Sequence, residues 1–247
     1  MIKPKLSTGN RAGDWLLLAI FLLVAGVGVL TTSFLVRFDS GKTDLITKEV
    51  AVQQAQPESV VVLGDSLAQG VGATGSENTL AAQIFASRST SLSGATLWNF
   101  GLAGATVADV SSDQLQRLAA VKPVEIYLVI GANDVTKQTD PDAFTESYRS
   151  VLAALTKTGA KVVVVTIPKL AATPAVPEAQ KAAADARTKL LNEKILFAAR
   201  EYPDSVRVVD GYGFSERELQ PGSNLLSDDQ FHPNNEGYAK FAAEIVK

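Results

Sequence analysis

The chain has 247 residues, 46% hydrophobic and 20% charged, with a formal net charge of -3, one histidine and no cysteine. Without a thiol it can carry no disulfide framework, cysteine nucleophile or cysteine-held zinc or iron–sulfur centre, and a single imidazole builds no histidine-rich metal site. A near-neutral charge without a basic stripe also argues against a nucleic-acid partner, and any chemistry that needs an imidazole must use His232.

The first feature in chain order is a run of 22 residues without a formal charge, Trp15 to Val36, between Asp14 and Arg37. As a helix rising about 1.5 Å per residue it would reach about 33 Å, enough to cross a hydrocarbon core of about 30 Å. A secretory signal usually has an apolar region of only about 7 to 15 residues and an A-x-A site, which is absent here, and a soluble core helix is rarely apolar on every face. The run therefore reads as an uncleaved membrane anchor (15–36) behind a tail (1–14). Lys3, Lys5 and Arg11 with the free amine barely outnumber Arg37, Lys42 and Lys48, so charge discriminates little. The shortness of the tail favours a cytoplasmic N-terminus with the rest of the chain extracytoplasmic. Residues 37–58 turn polar, with Gln53, Gln54, Gln56 and Pro57, and read as a tether to one domain, 59–247. Nothing in the pattern indicates an oligomeric state.

Within that domain, short β-branched runs alternate with longer amphipathic ones. Strands are predicted at 60–63, 96–100, 124–130, 161–167 and 206–209, and most are continuously apolar, as in a parallel sheet covered on both faces. Helices are predicted at 80–89, 107–121, 143–157, 178–201 and 236–247, with Asp140-Pro141 as an N-cap and first-turn pair and Thr106 with Asp109 as a capping box. Five such alternations imply an α/β three-layer sandwich with a five-stranded parallel sheet and right-handed crossovers. Ligands of such sheets sit outside the carboxyl ends of the strands, which points to Gly64–Gly70, Gly101–Thr106, Gly131–Val135, Pro168–Pro177 and Asp210–Gly213.

These segments hold the parts of a hydroxyl-nucleophile site: a serine, an imidazole to take its proton, a carboxylate to orient the imidazole, and donors for an oxyanion. Ser66 follows the first strand behind Gly64, whose missing Cβ permits a sharp turn. Asp229 stands three residues before His232, a spacing that on a short turn lets the carboxylate reach Nδ1 and leaves Nε2 facing the serine. The candidate oxyanion donors are the amides of Ser66 and Gly101 and the side chain of Asn133. Each has a plainer reading alone: Ser66 as a helix cap, Gly101 as a steric necessity, Asn133 as a turn-former and His232 as a cap on the chain turn. Their conjunction carries the catalytic reading.

Gly64-Asp65-Ser66, Gly101 after Asn99-Phe100, Gly131-Ala132-Asn133-Asp134, and Asp229-x-x-His232 before Pro233 resemble, in order, the four blocks of the SGNH, or GDSL-type, hydrolases. The resemblance covers roughly residues 60–247 and implies a flavodoxin-like SGNH hydrolase fold and an esterase, lipase or thioesterase-like acyl hydrolase. It further implies Ser66 as nucleophile, His232 as base, Asp229 as its orienting partner, an oxyanion hole of Ser66, Gly101 and Asn133, and no metal or organic cofactor. The expected partner is a small ester or acyl substrate, lipid- or glycan-linked. An O-acetyl esterase or acyltransferase acting on an envelope glycan, and a glycan- or lipid-binding module that no longer turns over, are the competing readings.

Asp228 competes with Asp229 for the orienting role, but the spacing favours Asp229. Asp65 and Asp134 are expected to fix their loops rather than form a carboxylate pair. Gly70-Val71-Gly72-Ala73-Thr74-Gly75 matches G-x-G-x-x-G, yet no Asp or Glu lies between Glu77 and Asp109 to hold a ribose. Its glycines are expected to let the chain double back beside the serine. Substrate choice is expected to lie in 168–177, an apolar wall with three prolines, and in 71–78 and 214–226, for an acyl group of modest length.

Overall fold

A computed structural model describes residues 58–88, 91–220 and 222–247. The expected tail and anchor, and all of the tether except Glu58, lie outside the described residues. Among the described residues no helix is long and apolar enough to cross a membrane.

Five strands, β1 (Ser59–Gly64), β2 (Thr96–Asn99), β3 (Pro123–Val129), β4 (Lys161–Val165) and β5 (Val206–Val209), form one parallel sheet in the order β2-β1-β3-β4-β5. All six residues of β1 are buried, which is why its sequence shows no alternation. Nine helices of the described residues cover the sheet. They are α1 (Ser66–Gln69), α2 (Leu80–Arg88), α3 (Val107–Asp109), α4 (Leu115–Leu118), α5 (Ala132–Thr136), α6 (Pro141–Thr156), α7 (Glu178–Ala199), α8 (Gly211–Glu218) and α9 (Asn235–Ile245).

The pleat divides the core in two. Val61, Leu63, Ile126 and Leu128 pack with Phe144, Tyr148, Leu191 and Ile195 of α6 and α7. Val60, Val62, Tyr127 and Val129 pack with Leu80 and Ile84 of α2 and Tyr238 and Phe241 of α9. Each fully buried side chain of this kind contributes about 1.5–3 kcal/mol, so the layers are held mainly by these two apolar faces.

The start signals act as expected. Asp140 accepts hydrogen bonds from the amides of Asp142 and Ala143 with Pro141 in the first turn, and Thr106 donates from its amide and hydroxyl to Asp109 at 2.8 and 2.7 Å. One expectation is corrected. The helix predicted at 107–121 is interrupted by a π-helical turn, Val110–Gln114. The extra residue in that turn directs Gln114 inward, where it is fully buried and bonded to Gly64, the kind of local widening often found beside functional sites.

The strand ends are level: Gly64 lies beside Val129, Val129 beside Val165, and Val165 beside Val209. The segments that leave them are thus delivered to one edge of the sheet, and β1 and β3, adjacent there, lead their helices to opposite faces.

Candidate active site

At the end of β1 the backbone turns through Gly64 at φ +146, where a Cβ would lie 1.8 Å from the carbonyl oxygen of Val129. Only glycine fits this approach. Asp65 then caps α1, its carboxylate accepting from the Leu67 amide at 3.0 Å, and Ser66 is the first helical residue, 9% exposed. As the first residue of its helix, Ser66 has an amide without an intrahelical acceptor. Gln114 clamps the turn from behind: its side chain accepts from the Gly64 amide and donates to the Gly64 carbonyl, each at 2.8 Å. Burial pushes the Asp65 carboxyl up to about 6, against the amides of Leu67, Ala132 and Gly131 and the nearby His232, which favour its charged form.

The imidazole arrives from a separate loop near the C-terminus. Leu226 bridges Pro233 across an antiparallel pair, and the Ser227 amide donates to the His232 carbonyl at 2.8 Å. Gln230 takes φ +56 to close the turn between Asp229 and His232, a left-handed conformation that a non-glycine residue adopts at a cost of about 1 kcal/mol or more. Asp229 Oδ1 accepts from the Ser227 hydroxyl at 2.8 Å and from the amides of Phe231 and His232 at 2.9 and 2.8 Å. Asp229 Oδ2 lies 2.6 Å from His232 Nδ1, and His232 Nε2 lies 2.8 Å from Ser66 Oγ. Burial acts to raise the Asp229 carboxyl, but the His232 ring, these amides and the Ser227 hydroxyl outweigh it and hold Asp229 well below the usual carboxylate range. Asp229 is therefore an anion facing Nδ1–H, which leaves Nε2 as the acceptor of the serine proton. Asp228 is exposed.

Of the three expected oxyanion donors, one is engaged elsewhere. The Gly101 amide is engaged, donating to Asn99 Oδ1 at 2.9 Å, while Asn99 Nδ2 donates to the Ala68 carbonyl at 2.8 Å. A Cβ on Gly101 would come within 2.5 Å of the Gln69 nitrogen, so its glycine is a packing requirement between this loop and α1. Gly101 is accordingly corrected from donor to spacer. Three residues on, Gly104 sits exposed at φ +83, and its amide has no partner among the described residues. Asn133 Nδ2 donates to the carbonyl of the next residue, Ala105, at 3.0 Å and retains a second N–H. Asn133 thus lies against the Gly104–Ala105 segment, and Ala132 before it lines the same pocket as Ser66. The sequence did not distinguish Gly104 from Gly101, because two glycines follow the strand and the residue order does not say which amide the Asn99 side chain takes.

Asp134 fixes loops as expected: it is buried, and its Oδ2 accepts from the Val107 amide at 3.0 Å, joining α5 to the start of α3. The G-x-G-x-x-G segment doubles back beside the serine. Gly70 and Gly72 take φ +95 and +94, the Val71 carbonyl accepts from the Tyr238 hydroxyl at 2.6 Å, and Thr74 exchanges bonds with Asn235. The segment is bound to the start of α9. Among the described residues, no group of three or more His, Asp or Glu side chains is arranged to hold a metal ion.

Residues 62–240 match the model of the GDSL-like lipase/acylhydrolase family. The chain belongs to this family. As a GDSL-type acylhydrolase it is an ester-cleaving hydrolase, and its five-stranded parallel α/β fold is that of solved relatives. It is similar to LAE5, an α/β hydrolase enzyme from the metagenome of Lake Arreo, with 22% identity, a TM-score of 0.62, and coverage of 78% of this chain and 95% of that one. It is also similar to Axe2, an acetylxylan esterase from Geobacillus stearothermophilus, with 21% identity, a TM-score of 0.62, and coverage of 77% and 93%. A lipolytic G-D-S-L protein from Veillonella parvula gives 20% identity, a TM-score of 0.59, and coverage of 76% and 96%. No curated protein matches the chain.

Proposed function

We propose that this protein hydrolyses a carboxylic ester through an acyl-enzyme on Ser66. The observation that carries the reading is the unbroken line from Ser66 Oγ to His232 Nε2 at 2.8 Å and from His232 Nδ1 to Asp229 Oδ2 at 2.6 Å. As Ser66 Oγ attacks the carbonyl carbon, its proton passes to His232 Nε2, and Asp229 stabilises the resulting imidazolium. The oxyanion is received by the Ser66 and Gly104 amides and the remaining N–H of Asn133. Collapse breaks the bond to the alcohol oxygen, which takes the proton from His232. Water then attacks the acyl-enzyme, giving its proton to His232, and Ser66 leaves with that proton restored.

The hydrophobic run 15–36 supports a membrane-anchored enzyme with its domain on the extracytoplasmic side. Protease accessibility of residues 37–58 in intact cells tests this; cleavage only after lysis places the domain in the cytoplasm. The likeness to an acetylxylan esterase keeps an O-acetyl ester of an envelope glycan as the second reading. A chromogenic short-chain ester, assayed with detergent-solubilised full-length protein and its Ser66→Ala variant, tests the chemistry. Turnover lost with Ser66 supports the proposal, and turnover retained overturns it.

A further inference from the structure

A narrow apolar pocket of about 50 Å3 opens beside Ser66. Leu170 comes from the segment after β4, Phe214 and Leu219 from α8 and its end, Leu225 and Phe231 from the loop that carries His232, and Phe241 from α9. Phe214 and Phe241 stack at 4.8 Å between ring centroids, and Leu170, Phe214, Leu225 and Phe241 are each at most 9% exposed. Two of the three loops expected to shape substrate choice, 168–177 and 214–226, supply this lining, whereas 71–78 contributes none of it.

The walls are tied to one another. The Lys169 amide donates to Ser215 Oγ at 2.6 Å, Lys169 Nζ pairs with Glu216 at 2.7 Å, and the Ala175 amide donates to the Gln230 carbonyl at 3.2 Å. Asn192 holds both the amide and the carbonyl of Ile167 at 2.7 and 2.9 Å, where the first wall begins. The pocket is therefore formed before substrate arrives, and an apolar ligand does not have to order it.

Resting on the acyl-hydrolase reading, we propose that this pocket receives the acyl chain of the substrate and selects aliphatic acyl groups longer than acetyl. The acyl-enzyme has to be retained while alcohol is exchanged for water, which suits a floored apolar pocket for the acyl chain and an open approach for the alcohol. An acetyl group would leave the pocket beyond Ser66 unfilled. Each methylene buried there should raise kcat/KM about three- to fourfold until the pocket is full.

The test uses full-length protein in detergent with p-nitrophenyl acetate, butyrate, hexanoate, octanoate and decanoate, and a parallel series of acetate esters of lengthening aliphatic alcohols. The expected result is a rise from acetate to an optimum beyond butyrate, with a flat alcohol series. Leu219→Trp, which fills the pocket from its partly exposed rim, should lower the octanoate-to-acetate ratio of kcat/KM about tenfold. Phe214→Ala should move the optimum to a longer chain. Ratios report on the pocket even where a variant folds less well. An active enzyme that prefers acetate, variants that leave the ratio unchanged, or a slope that follows the alcohol series would each overturn this assignment while leaving the hydrolase intact. No ester turnover together with no fluorophosphonate adduct would instead overturn the underlying reading.

Discussion

The two halves of the catalytic line are held in opposite ways. The nucleophile turn is buried and fixed by long-range bonds, with Gly64 against the Val129 carbonyl, Gln114 across 50 residues, and Asp65 beneath Ser66. The acid–base loop is outer and more local: its Asp229 side chain is 43% exposed and bonds only within Ser227–His232, with a tie to the rest of the fold from the Ala175 amide to the Gln230 carbonyl. The contrast implies that damage to the first half spreads into the fold, whereas damage to the second stays in the chemistry.

The largest expected effect is therefore a clean one. His232→Ala should lower kcat about 10⁴-fold or more with little change in Tm, because the ring's hydrogen bonds run only to Ser66 and Asp229; steady-state kinetics and calorimetry on the same sample check both halves of that statement. Next, Asn133→Ala should cost about 10²- to 10³-fold in kcat, the usual loss for one oxyanion donor, with KM nearly unchanged. Gln114→Leu should mix the two kinds of damage: unpairing the Gly64 amide costs about 1–3 kcal/mol of stability, and kcat should fall because the turn beneath Ser66 loosens. Chemical denaturation that shows full stability would break the contrast drawn here.

Asp65 sharpens it through pH. Its folded value of about 6 stands above the ordinary 3.8, so the folded protein binds the extra proton. This group's contribution makes stability fall as pH rises from about 4 to about 6, by up to about 3 kcal/mol. Asp229, shifted the other way, contributes stability that is lost only as pH falls below the ordinary carboxylate range. Asp65→Asn should flatten the slope of unfolding free energy between pH 4.5 and 6, and an unchanged slope would contradict the assignment. The smallest effect is expected at Ser227→Ala. Asp229 keeps two amides and the imidazole, so kcat should fall less than about tenfold and Tm should stay put.

Much of this was legible before the structure. The strands at 60–63, 96–100 and 206–209 differ from β1, β2 and β5 by a residue at most at each end, because buried parallel strands leave unbroken β-branched runs. The helices α1, α5 and α8 were not legible, since four to eight residues show no helical period. Nor was the π-helical turn, which brings Gln114 to Gly64 across 50 residues. At the site, the Asp229–His232 spacing is local and readable. The choice between Gly101 and Gly104 depends on which amide the Asn99 carboxamide takes, a fact of three-dimensional packing with no mark in the residue order.

The central claim is that Ser66 is the nucleophile and His232 its only base. The most direct measurement is the rate of fluorophosphonate labelling followed by intact mass and peptide mapping, in the native protein and in His232→Ala. The account predicts one adduct, on Ser66, formed at a rate that collapses without the imidazole. An adduct on another residue, no adduct at all, or labelling of Ser66 at the same rate in both proteins would contradict it.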